Sequence, residues 1–281
     1  MRILKKSILV VTVISLLVLI AACGTTTDNS DNSANKGSET LSISGSTSVG
    51  PLVEKLADAY KDKNTNVKIE VNQIGSSAGI TNAISGVSEI GMSSRDLKQE
   101  EKDAGLTETI VAYDGIVVVT HPSNKVKDLT MEQVKQIFTG EVTNWSELGG
   151  DDMEIVVVSR EDGSGSRDAF QEIVGYSSGE LTREAIIASG NGNIKTTVAT
   201  NKHAVGFISF EYIDESIATL KINGVESTAE NVLNNTYSLS RPFLFVHKES
   251  EISKAGTDFI DYILSEEGQK IVAGTGAIPV K

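Results

Sequence analysis

Ile155-Val156-Val157-Val158-Ser159-Arg160-Glu161-Asp162-Gly163-Ser164-Gly165-Ser166 is the stretch on which the fold turns. Its four β-branched residues read as a strand buried on both faces. Phe170, Ile173 and Val174 then share one face of a helix over 167–174. Between strand and helix lie only small and polar residues. In α/β sheets such turns sit at the carboxyl ends of strands, where ligands bind.

The same succession occurs three more times upstream. Leu41 to Ser44 alternates like a strand, Gly45-Ser46-Thr47-Ser48 follows, and Val49, Leu52, Val53, Leu56 and Tyr60 recur at helical spacing. Val67 to Val71 alternates, Gly75-Ser76-Ser77-Ala78-Gly79 follows, and Ile80, Ala83, Ile84 and Val87 resume the helical period. Ser93-Ser94-Arg95 follows the short strand Ile90-Gly91-Met92 and precedes another helical stretch. Ile116 to Val119, Val205 to Phe210 and Phe243 to His247 are further strands. Thr130 and Gln133 form a capping box for a helix over Met131 to Phe138. Phe259, Ile260, Ile263 and Leu264 mark a C-terminal helix that stops near Gly268 or at Gly274 to Gly276. This alternation predicts an α/β fold with one largely parallel sheet, or two.

The four turns share one chemistry. A helix start offers unpaired N–H groups and a partial positive charge. Glycine lets the backbone approach a ligand, and hydroxyls add donors, so together they suit a small anion. Arg95 and Arg160 are the natural charged partners, because a guanidinium matches an oxyanion with two parallel hydrogen bonds. Ser and Thr are also common helix caps, so one such turn alone would read as structural. Four of them, two beside an arginine, reverse that weighting. No nucleotide-binding glycine pattern occurs at these turns.

Enzymatic chemistry finds little support. Ser164 lacks a G-x-S-x-G setting. His121, His203 and His247 are isolated and read as surface or packing residues, without zinc spacing. No metal site and no cofactor are expected. Trp145 reads as a packing anchor on a surface loop. Asp114, just before a buried strand, fits a turn residue and a cleft carboxylate equally well.

The 281 residues carry a net charge of −13. Without Arg2, Lys5 and Lys6 the balance is 22 basic against 38 acidic residues, or −16. That argues against a nucleic-acid surface, which needs a basic stripe. It does not exclude a small anion held by local dipoles. Residues 1–22 are expected to be a secretory signal: a basic start, an apolar run from Ile8 to Ile20, then Ala21-Ala22. Cys23, the single cysteine, closes a stretch like a bacterial lipobox and is the expected lipidation site. Lipid chains there would anchor the chain to a membrane. Residues 23–39 are expected to be a flexible tether, being polar and nearly free of apolar side chains.

Taken together, these motifs resemble the phosphate-binding proteins of bacterial ABC phosphate importers. Ser159 to Ser166 resembles that family's Arg-x-Asp-Gly-Ser-Gly-Thr/Ser motif, Ile74 to Gly79 its Gly-Ser-Ser-x-Gly loop, and Gly45 to Ser48 its first loop. Ile90 to Arg95 is similar to the form in Gram-positive members. The resemblance implies a two-lobed, periplasmic-binding-protein-like type II fold with two mixed, mostly parallel sheets and a hinge. Lobe one would be 40–114 plus 240–281, and lobe two 115–239. Thr47, Ser48, Ser76, Arg160, Ser164, Gly165 and Ser166 would hold inorganic phosphate, with Asp162 keeping Arg160 in place. Ser94 and Arg95 would line the same site. Gram-negative members carry an aspartate at the position of Ser94, which accepts the proton of phosphate and rejects sulfate; here Asp114 is expected to supply that acceptor. A monomeric, membrane-anchored, outward-facing protein of a Gram-positive bacterium is implied, working with permease and ATPase subunits of an importer. A receptor for sulfate, molybdate or tungstate is the alternative, and a secreted phosphatase a more distant one.

Overall fold

A computed structural model describes residues 39–280. The signal segment, Cys23 and most of the tether lie outside them. In chain order the elements are β1 (Glu39–Gly45), α1 (Gly50–Lys61), β2 (Val67–Gln73), α2 (Ser76–Ser85), β3 (Ile90–Ser93), α3 (Gln99–Lys102), β4 (Thr107–Thr120), β5 (Asp128–Leu129) and α4 (Met131–Thr139). There follow β6 (Val156–Arg160), α5 (Gly165–Val174), β7 (Ile186–Ala188), α6 (Gly190–Thr200), β8 (Ala204–Ser209), β9 (Ala218–Thr219), β10 (Lys221–Ile222), α7 (Ala229–Leu233), β11 (Ser240–His247), α8 (Lys254–Leu264) and α9 (Glu266–Thr275).

Eight strands run in the order β2-β1-β3-β11-β4-β8-β6-β7, with β9 added on β4. The sheet is mixed. β1 is parallel to β2 and β3, β6 is parallel to β7 and β8, and β11 and β4 are antiparallel to their neighbours. The two expected sheets are thus the two halves of one continuous sheet, joined through β4. Residues 107–115 of β4 pair with β11, and residues 116–120 pair with β8. Because β8 is antiparallel to β4, its carboxyl end at Ser209 lies beside Ile116. The carboxyl ends of β1, β2 and β3 approach the same region from the other half. That topology makes the polar turns of the two halves face each other across Asp114 and Gly115.

Each half has its own core. Leu41, Ile43, Leu52, Leu56, Phe243, Phe245 and Phe259 pack together in the first. Phe138, Phe170, Phe207 and Trp145 pack in the second, where Phe170 and Phe207 stack with centroids 4.1 Å apart. Burying such a ring stabilises by about 2–3 kcal/mol. Trp145 is a packing anchor but lies wholly inside rather than on a surface loop, its indole N–H donating to the His203 carbonyl at 3.1 Å.

Several boundaries differ from those read off the sequence. Gly86, at φ +72°, caps α2, so Val87 is exposed instead of continuing its apolar face. Only the four-residue α3 follows Ser93-Ser94-Arg95, and not directly. The C-terminal helix is two helices, α8 and α9, divided at Ser265, whose hydroxyl accepts from the Gly268 amide. α5 begins at Gly165, earlier than the apolar period indicates, because Ser164 caps it by accepting from the Arg167 amide. β11 begins at Ser240, which brings Arg241 into the sheet opposite Asp114.

Candidate functional site: a donor-lined cleft

The turns after β1, β2, β3 and β6 converge on one buried cluster. Ser46, Ser48, Ser76, Ser94, Ser164 and Ser166 are all within 2% exposure. They are linked from one half to the other: the hydroxyls of Ser48 and Ser166 lie 2.8 Å apart, and the Ser77 amide donates to the Gly163 carbonyl at 3.2 Å. The first-turn amides of Gly165 and Ser166 have no intrahelical acceptor, as at any helix start.

The hydroxyls are oriented by what they accept. Ser48 Oγ takes hydrogen bonds from Asn191 Nδ2 (2.9 Å) and Arg241 Nη2 (3.3 Å). Its own proton is therefore directed to Ser166 Oγ, which frees the Ser166 hydroxyl to donate onward. On the other side Ser46 donates to Ser94 Oγ at 2.9 Å, and the Ser94 amide donates to Ser76 Oγ at 3.1 Å. Ser46 also caps the turn, accepting from the amides of Ser48 and Val49.

Arg160 lies 1% exposed at the end of β6. Its Nε and one face of Nη2 bind the Glu161 carboxylate at 2.8 and 2.9 Å, and Nη2 also donates to Thr47 Oγ1 at 2.9 Å. Its Nη1 is buried and has no partner. Burial alone would raise the Glu161 carboxyl, but the Arg160 contacts outweigh it and hold Glu161 below the usual range. Leaving a charged donor dry and unpaired costs more than a neutral orphan does. An anion at that point removes the cost.

Three expectations about individual residues change. Asp162 does not hold the Arg160 side chain: Glu161 does. Asp162 instead binds Arg167 Nη1 at 2.6 Å, and the same Nη1 donates to the Arg160 carbonyl. Asp114 is buried, but it is not an open acceptor. Its Oδ1 accepts from the Ser209 hydroxyl and the Phe210 amide, and its Oδ2 from Arg241 Nε (3.1 Å) and Nη2 (2.8 Å). Those four donors fill its lone pairs. Burial pushes this carboxyl up and the Arg241 guanidinium down, while their mutual attraction pulls both back. Arg95 presents no free donor either, since all five of its N–H groups have protein acceptors.

Arg241 and Asn191 were missed in the sequence. Arg241 stands between Ser240 and Pro242, where a strand begins rather than ends, and Asn191 lies in the Ser189-Gly190-Asn191-Gly192 stretch where β7 gives way to α6, a further strand-to-helix turn of the same kind. The pairing of β11 with β4 was the only route to Arg241, and single-sequence periodicity does not reveal strand partners. None of the three histidines lies in the cleft: His121 and His203 bind Ser123 and the Glu154 carbonyl.

Gly165 fits where a larger residue cannot. A Cβ there would collide with the Ser76 hydroxyl and come within 2.8 Å of Ser94 Oγ. Gly165→Ala is expected to leave thermal stability close to wild type and to weaken anion binding roughly tenfold, by blocking approach of the two halves. Calorimetry alongside a melting curve separates these effects.

Beside the cleft, both oxygens of Glu211 are buried without a donor; the nearby Thr275 hydroxyl donates to the Val272 carbonyl instead. Burial first, and the Asp114 charge second, push the Glu211 carboxyl up to about 8. The native state thus holds a proton that the unfolded chain releases. This stability is complete below about pH 4 and is lost as the pH rises through about 8. Glu211→Gln is expected to flatten the fall in melting temperature over that window. An unchanged pH profile would remove Glu211 as its source.

Residues 30–267 match the model of the PBP superfamily domain. The phosphate-binding protein PstS of Bacillus subtilis is 33% identical, with 98% of this chain and 94% of that protein covered. Its namesake from Borreliella burgdorferi is 30% identical over 89% of this chain and 94% of that one. A Clostridium perfringens protein, assigned to a phosphate ABC transporter as its substrate-binding protein and solved with bound phosphate, superposes with a TM-score of 0.85. It is 61% identical, covering 86% of this chain and 100% of its own.

Proposed function

The chain belongs to the PstS family of phosphate-binding proteins within the PBP superfamily, and on that footing we propose that it captures inorganic phosphate outside the cell and delivers it to an ABC importer. The observation that carries the reading is the buried, unpartnered Nη1 of Arg160 in a cluster of oriented hydroxyls and helix-start amides. Thr47, Ser48, Ser76, Ser94, Arg160, Ser164, Gly165 and Ser166 surround a tetrahedral anion in this reading. Asp114 acts through Arg241, which fixes the Ser48 hydroxyl. Residues 40–114 with 240–281 form one lobe and 115–239 the other, hinged where β4 passes from pairing with β11 to pairing with β8.

In this reading the chain works as a receptor rather than a catalyst, its hydroxyls, amides and guanidinium serving as hydrogen-bond donors to the anion, in keeping with the transport proteins it is similar to. Its partners are the permease and ATPase of the importer. Lipid on Cys23 would keep the binding domain at the outer membrane face while the tether lets it reach the permease. Titration of the unliganded protein with phosphate, sulfate, arsenate and molybdate tests the reading. Saturable one-to-one heat with phosphate, well above that with sulfate, supports it. Heat only with molybdate or sulfate would overturn it.

A further inference from the structure

Arg95 is 3% exposed, and all five of its N–H groups are taken by protein acceptors. Its guanidinium is gripped from its own side by Glu101, at 2.7 and 2.8 Å through Nη1 and Nη2. Nη1 also reaches the Asp96 carbonyl and Nη2 the Ser77 hydroxyl. Glu101 is itself set in place, because it accepts from the Lys98 amide at 2.8 Å. These contacts leave one group, Nε, pointing across the cleft. It meets Asp168 Oδ2, on α5 of the other half, at 3.0 Å. Lys98 Nζ stands 3.7 Å from the same oxygen. Next to this pair the Ser77 amide reaches the Gly163 carbonyl, so the corner is bridged twice.

Asp168 is a negative charge within the first turns of the helix whose amides face the anion site. Such a charge suits the helix dipole but opposes an incoming anion, so direct recognition of phosphate does not explain its position. From this geometry we propose that Arg95 and Asp168 form a latch that holds the cleft shut over bound phosphate from outside the ligand's own contacts. Glu101 pre-orients Arg95 while the cleft is open, so closure orders little more than the Asp168 side chain. The latch adds to affinity by favouring the closed state, and its loss appears mainly as faster release.

The latch rests on the phosphate reading, and the test keeps the two apart. Phosphate is titrated into wild type, Asp168→Asn and Arg95→Lys, with release rates from stopped-flow displacement and melting curves of the unliganded proteins. Removing the Asp168 charge would tighten phosphate binding if Coulomb repulsion were its only effect. The latch predicts the opposite sign: roughly tenfold weaker binding for Asp168→Asn, mostly through faster release, with an unliganded melting temperature near wild type. Arg95→Lys keeps the charge but cannot hold Glu101 and Asp168 together in one fork, so it should weaken binding as well. Should Asp168→Asn fold poorly, Arg95→Lys decides alone. Equal or tighter binding in the deciding variant overturns the latch and leaves the phosphate reading intact. A wild type that does not bind phosphate overturns both.

Discussion

Arg160→Met is expected to weaken phosphate binding by roughly a hundredfold or more, equivalent to about 3 kcal/mol. The substitution removes the buried Nη1 that lacks a protein partner, together with the Nη2 contact to Thr47. Hydrogen bonds to a charged group contribute about 1.5–3 kcal/mol each, and this one acts where water is excluded. Glu161 would also lose its partner, but it is more than a quarter exposed and water can serve it. Affinity should therefore drop far more than stability. Calorimetric titration and a melting curve on the same preparation read both quantities. Affinity within threefold of wild type would show that Arg160 is not the principal charge in the site.

Asp114→Asn has its largest effect on folding. The side chains of Asp114 and Arg241 are 0% and 1% exposed, the most deeply buried ion pair among the described residues. Breaking such a pair leaves an uncompensated charge in the interior, at a cost of about 3–5 kcal/mol. The asparagine also offers an N–H₂ where the site presents only donors, so two of the four hydrogen bonds are opposed. Urea unfolding of wild type and variant, compared at equal slope, measures the loss. Since the carboxylate is already filled by four donors, the phosphate-over-sulfate ratio of whatever folded variant remains should change little. A large change in that ratio with unaltered stability would restore Asp114 as the proton acceptor.

Much of this architecture was legible in the sequence, and the illegible part has one physical cause. Gly45 to Ser48, Gly75 to Gly79 and Asp162 to Ser166 could be read because turn chemistry is local: glycine freedom and hydroxyl caps leave their mark within a few residues. Arg160 was found the same way, from its place beside such a turn. What failed were side-chain pairings, one between neighbours and two across the fold. Arg160 takes its neighbour Glu161 over Asp162, two residues along, with the two oxygens of Glu161 accepting from its Nε and Nη2 while Asp162 binds Arg167. Asp114 looked like an open acceptor because its partner is 127 residues away in the chain. Arg95 looked like a ligand because an arginine beside a Ser-Ser turn suits an anion, and only the positions of Glu101 and Asp168 show otherwise.

The path of β11 bears on how the chain comes to be folded at all. β3 and β4 are close in sequence but do not touch as neighbours, because β11 lies between them. The half built from 115–239 is contiguous and can assemble all of its core but Ile278 as soon as it emerges. The half that begins the folded domain cannot, since its central strand is one of the last segments delivered. Until residues 240–247 arrive, β3 and β4 each present an unpaired edge of the kind that invites mispairing. A chain released amino end first would therefore finish folding in the reverse of the order in which it appears. Docking β11 would also bring Arg241 beside Asp114 and finish the binding cleft.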